Sequence, residues 1–191
     1  MTHRALYLAG WGYLAICGVL VLRHYSHPGG ATGPAVTPAH FNGSAAQWFA
    51  AIKANCNEVE VALAQRAHPA PASLDGQGFS AACFALGGKL DSARAVIDRL
   101  PRRQRYQAAG IVFDVAHPVA DAGDDRSAGP IMELVLDYWP NHYMALYHAG
   151  MSEYALGQAP LARAHLKSFL TYYHQDDGWT HNARDVLARL E

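Results

Sequence analysis

Histidine and cysteine are the residue types in this chain that most readily bind metals or take part in catalysis, and the chain has 11 histidines and three cysteines. His142 and His148 are six residues apart, and His174 and His181 are seven apart. Two ligands on one helical face are normally three or four residues apart. The Asp-Asp-Gly sequence at residues 176–178 also predicts a helix break inside the second pair. Neither pair therefore predicts a metal site.

Motifs of the common enzyme classes are absent from the sequence. It contains no H-E-x-x-H, no G-x-S-x-G, no phosphate-binding glycine loop and no C-x-x-C pair. The formal net charge is −1, and no basic stripe could follow a phosphate backbone. We therefore expect no catalytic activity, no cofactor, no metal, no small-molecule substrate and no nucleic-acid partner.

Three aspartates within residues 121–125 could hold calcium through their carboxylates. A calcium-binding helical loop, however, needs ligands spaced over twelve residues and ends in a glutamate. This segment has neither feature. The sequence predicts an exposed polar turn here.

Cys56 and Cys83 lie on apolar helical faces, almost symmetrically on either side of the proline-rich turn at residues 69–71. An antiparallel helical pair would place them at similar height and within reach of a disulfide. Two buried free thiols are the alternative, because buried cysteine is common. A disulfide would favour an oxidising compartment.

Aromatic residues crowd the C-terminal part of the chain. Some must belong to the core. Those that are exposed would form a protein interface, because aromatic anchors carry much of the energy of protein–protein binding. The candidate interface residues are Tyr143, Tyr147, Tyr172, Tyr173 and Trp179.

The N-terminal residues 1–25 are predicted to be a transmembrane anchor. Residues 5–22 are uncharged and mostly apolar, and Arg4 and Arg23 flank them. As a helix this run is about 27 Å long, close to the hydrocarbon thickness of about 30 Å. A cleaved signal peptide and a lipoprotein signal at Cys17 are the alternatives. No A-x-A site follows promptly, and a large residue precedes Cys17.

Residues 26–43 are rich in proline and glycine and predict a linker. Residues 24–52 contain no Lys or Arg, whereas Arg4 and the α-amine lie on the N-terminal side of the anchor. Positive charge favours the cytoplasmic side. We therefore expect a single-pass protein of the bacterial inner membrane with its N-terminus in the cytoplasm and its C-terminal domain in the periplasm.

Residues 44–191 are predicted to be all-α. Apolar residues three or four positions apart predict a first helix that starts after Ser44 and continues through Cys56 to Leu63. No alternating run bounded by hairpin turns predicts a strand. Residues 177–191 predict a C-terminal helix with one polar face.

The strongest pattern in the sequence is a repeat with a period of 34 or 35 residues. Each copy has a glycine, an alanine five residues later and a small residue seven residues earlier. The glycine is expected to end the first helix of a hairpin in a left-handed conformation, and the small residues to lie where helices approach closely. The glycines are Gly88, Gly123 and Gly157, the alanines are Ala93, Ala128 and Ala162, and the earlier small residues are Ala81, Ala116 and Gly150.

The last copy carries Leu146, Gly150, Tyr154 and Gly157 in an order that resembles the tetratricopeptide repeat (TPR) family. The resemblance covers residues 74–175. It implies an α-solenoid of stacked helical hairpins closed by a capping helix, and it implies protein binding. The middle copy departs from the pattern, because His117-Pro118 predicts a break in its first helix.

The function we expect is that of a non-catalytic, membrane-anchored protein-interaction domain. It would be an accessory or stabilising subunit of a larger membrane complex, for example respiratory or photosynthetic, and would contact other subunits through the anchor and the repeats. The alternative is a periplasmic, membrane-tethered assembly factor or recruiter that binds clients transiently. That alternative requires a groove lined by Asn, Lys or Arg, and beyond Lys53, Lys89 and Lys167 the helices offer few.

Overall fold

The computed structural model describes Phe41 and residues 43–191 of the chain. All regular structure in this part is helical, with nine α-helices, one short 3-10 helix and no strand. The predicted all-α class is confirmed for these residues. Within the same residues, no helix combines the length and the apolar character needed to cross a membrane. The predicted anchor, residues 1–25, and nearly all of the predicted linker lie outside the described residues.

The helices follow one another with short connections. We number them α1 to α9 in chain order. They are α1 (Ala45–Ile52), α2 (Val61–Ala67), α3 (Leu74–Leu86), α4 (Leu90–Asp98), α5 (Arg102–Asp121), α6 (Asp125–Tyr138), α7 (Tyr143–Ala155), α8 (Ala159–Tyr172) and α9 (Gly178–Arg189).

Three helical hairpins, α3–α4, α5–α6 and α7–α8, form the body of the domain. The helices of each hairpin pack on each other, α3 also packs on α5, and α6 packs on α7. Helix α9 packs on α7 and α8 at one end, and α1 packs on α3 at the other. Each hairpin therefore buries its apolar face partly within itself and partly against the next one.

The three hairpins turn in the same way. Gly88, Gly123 and Gly157 have φ angles of 69°, 77° and 75°, the left-handed region that favours glycine. The residue after each glycine donates its backbone N–H to a carbonyl five residues earlier, the Schellman pattern that ends many helices. These bonds run from Lys89 to Phe84, from Asp124 to Val119 and from Gln158 to Glu153.

Small residues at the repeated positions are buried between the helices. Ala81, Ala93, Ala116, Ala128 and Ala162 are all at most 1% exposed. Gly150 is buried as well, and a Cβ added to it would lie 2.7 Å from Cγ of Leu166 on the neighbouring helix α8. The hairpin α7–α8 can therefore close only because this position carries no side chain.

We expect Gly150→Ala to lower the free energy of unfolding by about 1–3 kcal/mol, because the added methyl group overpacks the contact with Leu166. Gly110→Ala in α5 is the matched control. Its Cβ would lie 3.5 Å from the Trp139 ring, an ordinary contact. Removing a glycine from a helix should then stabilise the protein by about 0.5–1 kcal/mol. Urea unfolding of both variants checks the opposite signs, and equal effects would contradict the close approach at Gly150.

The single first helix predicted from Ser44 through Leu63 is wrong. Helix α1 ends at Ile52, a 3-10 turn covers Lys53–Asn55, and α2 starts at Val61. The side-chain oxygen of Asn57 accepts hydrogen bonds from the backbone N–H groups of Val59 and Glu60. This local bonding competes with the helical ladder. Val59 and Leu63, predicted to be apolar contacts, are consequently exposed.

The break predicted at His117-Pro118 is also wrong, because α5 is continuous from Arg102 to Asp121. Pro118 lacks the N–H that would donate to the preceding turn. Its own carbonyl still accepts from the backbone N–H of Ala122 at 3.1 Å. Val112 and Ala116 are buried on the same helix. Packing of this apolar face maintains the helix across the proline.

A small cluster at the N-terminal end closes the array. Trp48 is fully buried and donates its ring N–H to the carbonyl of His68 at 3.0 Å. Cys56 and Cys83, for which the sequence left two alternatives, form a disulfide with a Cα–Cα distance of 4.8 Å. It links the segment between α1 and α2 to α3.

Candidate functional site: an aromatic surface at the C-terminal end

Five aromatic rings on or beside α7, α8 and α9 form a continuous chain of contacts, which we call the ring chain. It runs from Tyr143 through Tyr173, Phe169 and Tyr147 to Trp179. The centroid distances along it are 4.9, 5.2, 5.2 and 4.9 Å. These are the separations at which aromatic pairs attract each other.

The ring chain is exposed at its ends and buried in its middle. Tyr143 is 43% exposed and Trp179 is 38% exposed, whereas Phe169 is fully buried. Tyr172, which precedes Tyr173 in the sequence but is not part of the ring chain, is 51% exposed. Tyr147, predicted to belong to the interface, is instead buried and supports the surface from behind. The exposed rings therefore rest on a rigid aromatic base.

Hydrogen bonds fix two of the tyrosine rings. The hydroxyl of Tyr147 accepts from the side-chain amide of Asn182 at 2.7 Å, and burial raises the pKa of Tyr147. The hydroxyl of Tyr173 donates to a carboxylate oxygen of Asp177 at 2.6 Å, and this bond raises the pKa of Tyr173. Asp177 also accepts from the backbone N–H groups of Trp179 and Thr180 as the N-cap of α9. The cap thus orients Trp179.

A preorganised aromatic surface is suited to binding another protein. Tyr and Trp present large contact areas and lose little conformational freedom on binding. Here the stacked neighbours have already restricted that freedom. The exposed rings can therefore act as anchors whose ordering costs little at the moment of association.

Other residues singled out in the sequence lie away from this surface. The glycine turns lie at the hairpin ends. The alanines that follow them in the repeat are in the core, and these are Ala93, Ala128 and Ala162.

Sequence reasoning left Phe169 out of the interface. Its place seven residues after the repeat alanine Ala162 predicts a core residue, and Phe169 is indeed fully buried. That spacing gives no sign of its contacts with Tyr173 and Tyr147, which depend on how α7 and α8 pack.

Helix α7, which carries Tyr143 and Tyr147 of the ring chain, also carries a buried acid. Glu153 is 2% exposed, and both of its carboxylate oxygens lie 2.9 Å from Nδ1 of His165 on α8. Burial raises the pKa of Glu153, and the hydrogen bond from His165 opposes that rise. The folded protein therefore favours the protonated acid more than the unfolded chain does.

We expect this acid to weaken the fold as pH rises. A carboxyl group with a raised folded-state pKa stabilises the fold below its unfolded-state pKa, and that contribution is lost as pH rises through the folded-state value. Glu153→Gln should therefore gain in Tm relative to the unmodified protein between about pH 5 and about pH 8. Melting curves at both pH values measure this difference in Tm. Asp185→Asn is the control, because it removes the charge of an exposed carboxylate on α9. A Tm difference that does not change with pH would contradict it.

His148 borders the ring chain. Its ring lies 5.3 Å from that of Tyr147 and 5.9 Å from that of Trp179. Burial, followed by repulsion from His117, lowers the pKa of His148 to about 4. His148 is therefore neutral at neutral pH.

No family model, curated protein or solved structure matches this chain. The resemblance to tetratricopeptide repeats consequently depends on the spacing of its residues alone. Function has to be inferred from the helical hairpins, the disulfide and the aromatic surface.

Proposed function

We propose that residues 44–191 form a non-catalytic, TPR-like protein-interaction domain, tethered to the bacterial inner membrane by residues 1–25. In this role the protein is an accessory subunit of a larger membrane complex. The observation that carries the proposal is the ring chain. Its exposed ends, Tyr143 and Trp179, are held by the partly buried Tyr173 and the buried Tyr147.

The position of the exposed rings supports binding at the C-terminal hairpin. Tyr143 and Tyr172 lie on α7 and α8, and Trp179 lies at the start of α9. Aromatic residues of this kind are enriched among those that dominate binding energy. The surface is small, so confinement to the membrane would raise the effective concentration of the partner and compensate for limited contact area.

The disulfide supports placement of the domain in the periplasm. Cys56 and Cys83 are joined at the N-terminal end of the domain. Disulfides form and persist in oxidising compartments such as the bacterial periplasm and are rare in the cytosol. This agrees with the orientation that Arg4 favours through the positive-inside rule.

The test is to extract the full chain from its native membrane in mild detergent through a C-terminal tag. The product is then analysed on a native gel and by mass spectrometry. A large complex with stoichiometric partners is expected. A protein that is alone, or that carries only substoichiometric clients, would contradict the accessory-subunit role and favour the transient recruiter.

Paired tyrosine variants locate the binding surface. Tyr143→Ala should release partners, whereas Tyr106→Ala should retain them. Tyr106 is the matched control because it is an equally exposed tyrosine, 45% against 43%, and lies on α5. Equal retention by both variants would exclude the ring chain as the interface.

Deletion of residues 1–25 should also release the domain from its partners, and co-purification of the truncated chain in salt would show that the anchor is dispensable.

A further inference from the structure

Two imidazoles and one carboxylate converge where α5 faces α7. His117 and Asp121 are four residues apart on α5, so both side chains lie on one face of that helix. His148 comes from α7. Nε2 of His117 lies 3.5 Å from a carboxylate oxygen of Asp121, and Nε2 of His148 lies 3.7 Å from the same oxygen. Each residue offers one ligand atom within 4.8 Å of the other two.

Among the described residues, the two imidazole nitrogens have no hydrogen-bond partner. Nε2 of His117 and Nε2 of His148 are buried, and neither bonds to any residue that the structure describes. The His148 side chain is only 6% exposed. A buried polar atom without a partner costs free energy, so such atoms normally have a protein group, a water or an ion as partner. Both nitrogens lie close to the same Asp121 carboxylate oxygen. One ion placed between these three atoms could therefore be the partner of both nitrogens.

We propose that His117, Asp121 and His148 bind a divalent transition-metal ion of the zinc class. The donor set is two imidazole nitrogens and one carboxylate oxygen, which Zn²⁺ accepts. Ligand atoms around a tetrahedral zinc are about 3.3 Å apart when each bond is about 2.0 Å long. The two measured distances to Asp121 exceed this by a few tenths of an ångström. Rotation of the half-exposed Asp121 side chain can close that gap. The ligand atoms of His117 and His148 lie within 4.8 Å of each other, so the two imidazole rings must also turn towards the ion.

The surroundings fit three protein ligands and one open position. The ring of Phe113 packs on that of His117 at 4.8 Å, and the ring of Tyr147 contacts that of His148 at 5.3 Å. These contacts hold the two imidazole rings in place. The Asp121 side chain is 49% exposed, so water can reach the cluster at Asp121. Zinc sites with three protein ligands commonly hold water at the fourth position.

A metal here would join two successive hairpins. Helix α5 belongs to the second hairpin and α7 to the third, and both pack on α6. In arrays of helical hairpins, stability depends on the interfaces between neighbouring units. An ion bound only by the folded arrangement raises the stability of that arrangement by mass action. The site would therefore couple the folding of the C-terminal hairpin, with its ring chain, to the rest of the domain.

The test is titration of the tag-free full chain in detergent with Zn²⁺ after dialysis against a chelator. Calorimetry should show one site whose affinity falls at least about tenfold in Asp121→Asn and in His117→Gln, since even outer partners of metal ligands contribute that much. Zn²⁺ should raise the Tm of the unmodified protein but not of either variant. Co²⁺ should give the visible bands of tetrahedral coordination, which a purely structural role of these residues would not produce.

His181→Gln is the matched control. His181 forms an exposed pair with Asp176 at 2.8 Å and represents adventitious binding at the surface. This variant should bind Zn²⁺ as the unmodified protein does. The proposal is overturned if Asp121→Asn and His117→Gln bind with unchanged affinity, or if Co²⁺ gives no tetrahedral bands. Folding of each variant is checked by its helical circular dichroism in the absence of metal, which Asp121→Asn should leave unchanged because Asp121 ends α5.

Discussion

Replacement of both Cys56 and Cys83 by serine is expected to lower the free energy of unfolding by about 3.5 kcal/mol, from the loop-closure entropy of a cross-link across 27 residues. The loop between the two cysteines contains α2, the turn before α3 and most of α3. Without the cross-link, the unfolded chain gains conformational freedom that the folded chain does not. Urea unfolding of the full chain, with and without reductant, measures the difference.

The serine variant also serves as its own control. Reductant should lower the stability of the unmodified protein towards that of the Cys56→Ser/Cys83→Ser variant and should leave the variant itself unchanged. Equal stability of the oxidised protein and the variant would contradict the disulfide, and it would remove the support that the disulfide gives to a periplasmic location.

Phe169→Ala is expected to lower the free energy of unfolding by about 3–5 kcal/mol, because it removes a fully buried aromatic side chain. It also takes the central link out of the ring chain between Tyr173 and Tyr147. Partner binding should weaken together with stability, since the exposed rings lose their support. Thermal unfolding and the co-purification described above measure the two effects.

Tyr172→Ala on the same helix is the control for this variant. Tyr172 is 51% exposed, so its removal should change stability by no more than about 0.5 kcal/mol. It should nevertheless reduce partner binding if it belongs to the surface. A large loss of stability from Tyr172→Ala would contradict the exposure of Tyr172, and a small loss from Phe169→Ala would contradict the burial of Phe169.

The helical class and the hairpin turns could be predicted because their causes are local. Gly88, Gly123 and Gly157 recur at the period of one hairpin, and a left-handed residue at the end of a helix is a property of a few neighbouring residues. The burial of Ala93 and Ala128 follows from the same period. Such features need no knowledge of which helix packs on which.

Competition between local hydrogen bonding and packing explains the two wrong predictions about helices, the single first helix through Leu63 and the break at His117-Pro118. Helical spacing continues through Cys56 to Leu63, yet α1 ends at Ile52. The Asn57 side chain then bonds to the backbone of Val59 and Glu60, and the next helix starts only at Val61. At Pro118 the outcome is reversed, because burial of Ala116 and its neighbours maintains the helix. The spacing of apolar residues alone does not show whether local hydrogen bonding or packing of the apolar face contributes more free energy at a given position.

The cluster of His117, Asp121 and His148 could not be predicted from the sequence, for a different reason. The spacing of His117 and Asp121 shows that they share a face of α5, but His148 lies on α7, and the whole of α6 separates these two helices along the chain. Only the packing of both helices on α6 brings the third group into place. The contact of Phe169 with Tyr147 likewise depends on how α7 and α8 meet.

The disulfide also decides where mechanical load enters the domain. A pull on the chain at Phe41 acts first on α1 and reaches Cys56 through the 3-10 turn. There the covalent link passes the tension directly to Cys83 on α3, so that the backbone of residues 57–82, which includes α2 and most of α3, is bypassed. A domain held from its N-terminal side and bound at its C-terminal surface would thus receive force near the end of α3, and the backbone between the two cysteines would not be stretched.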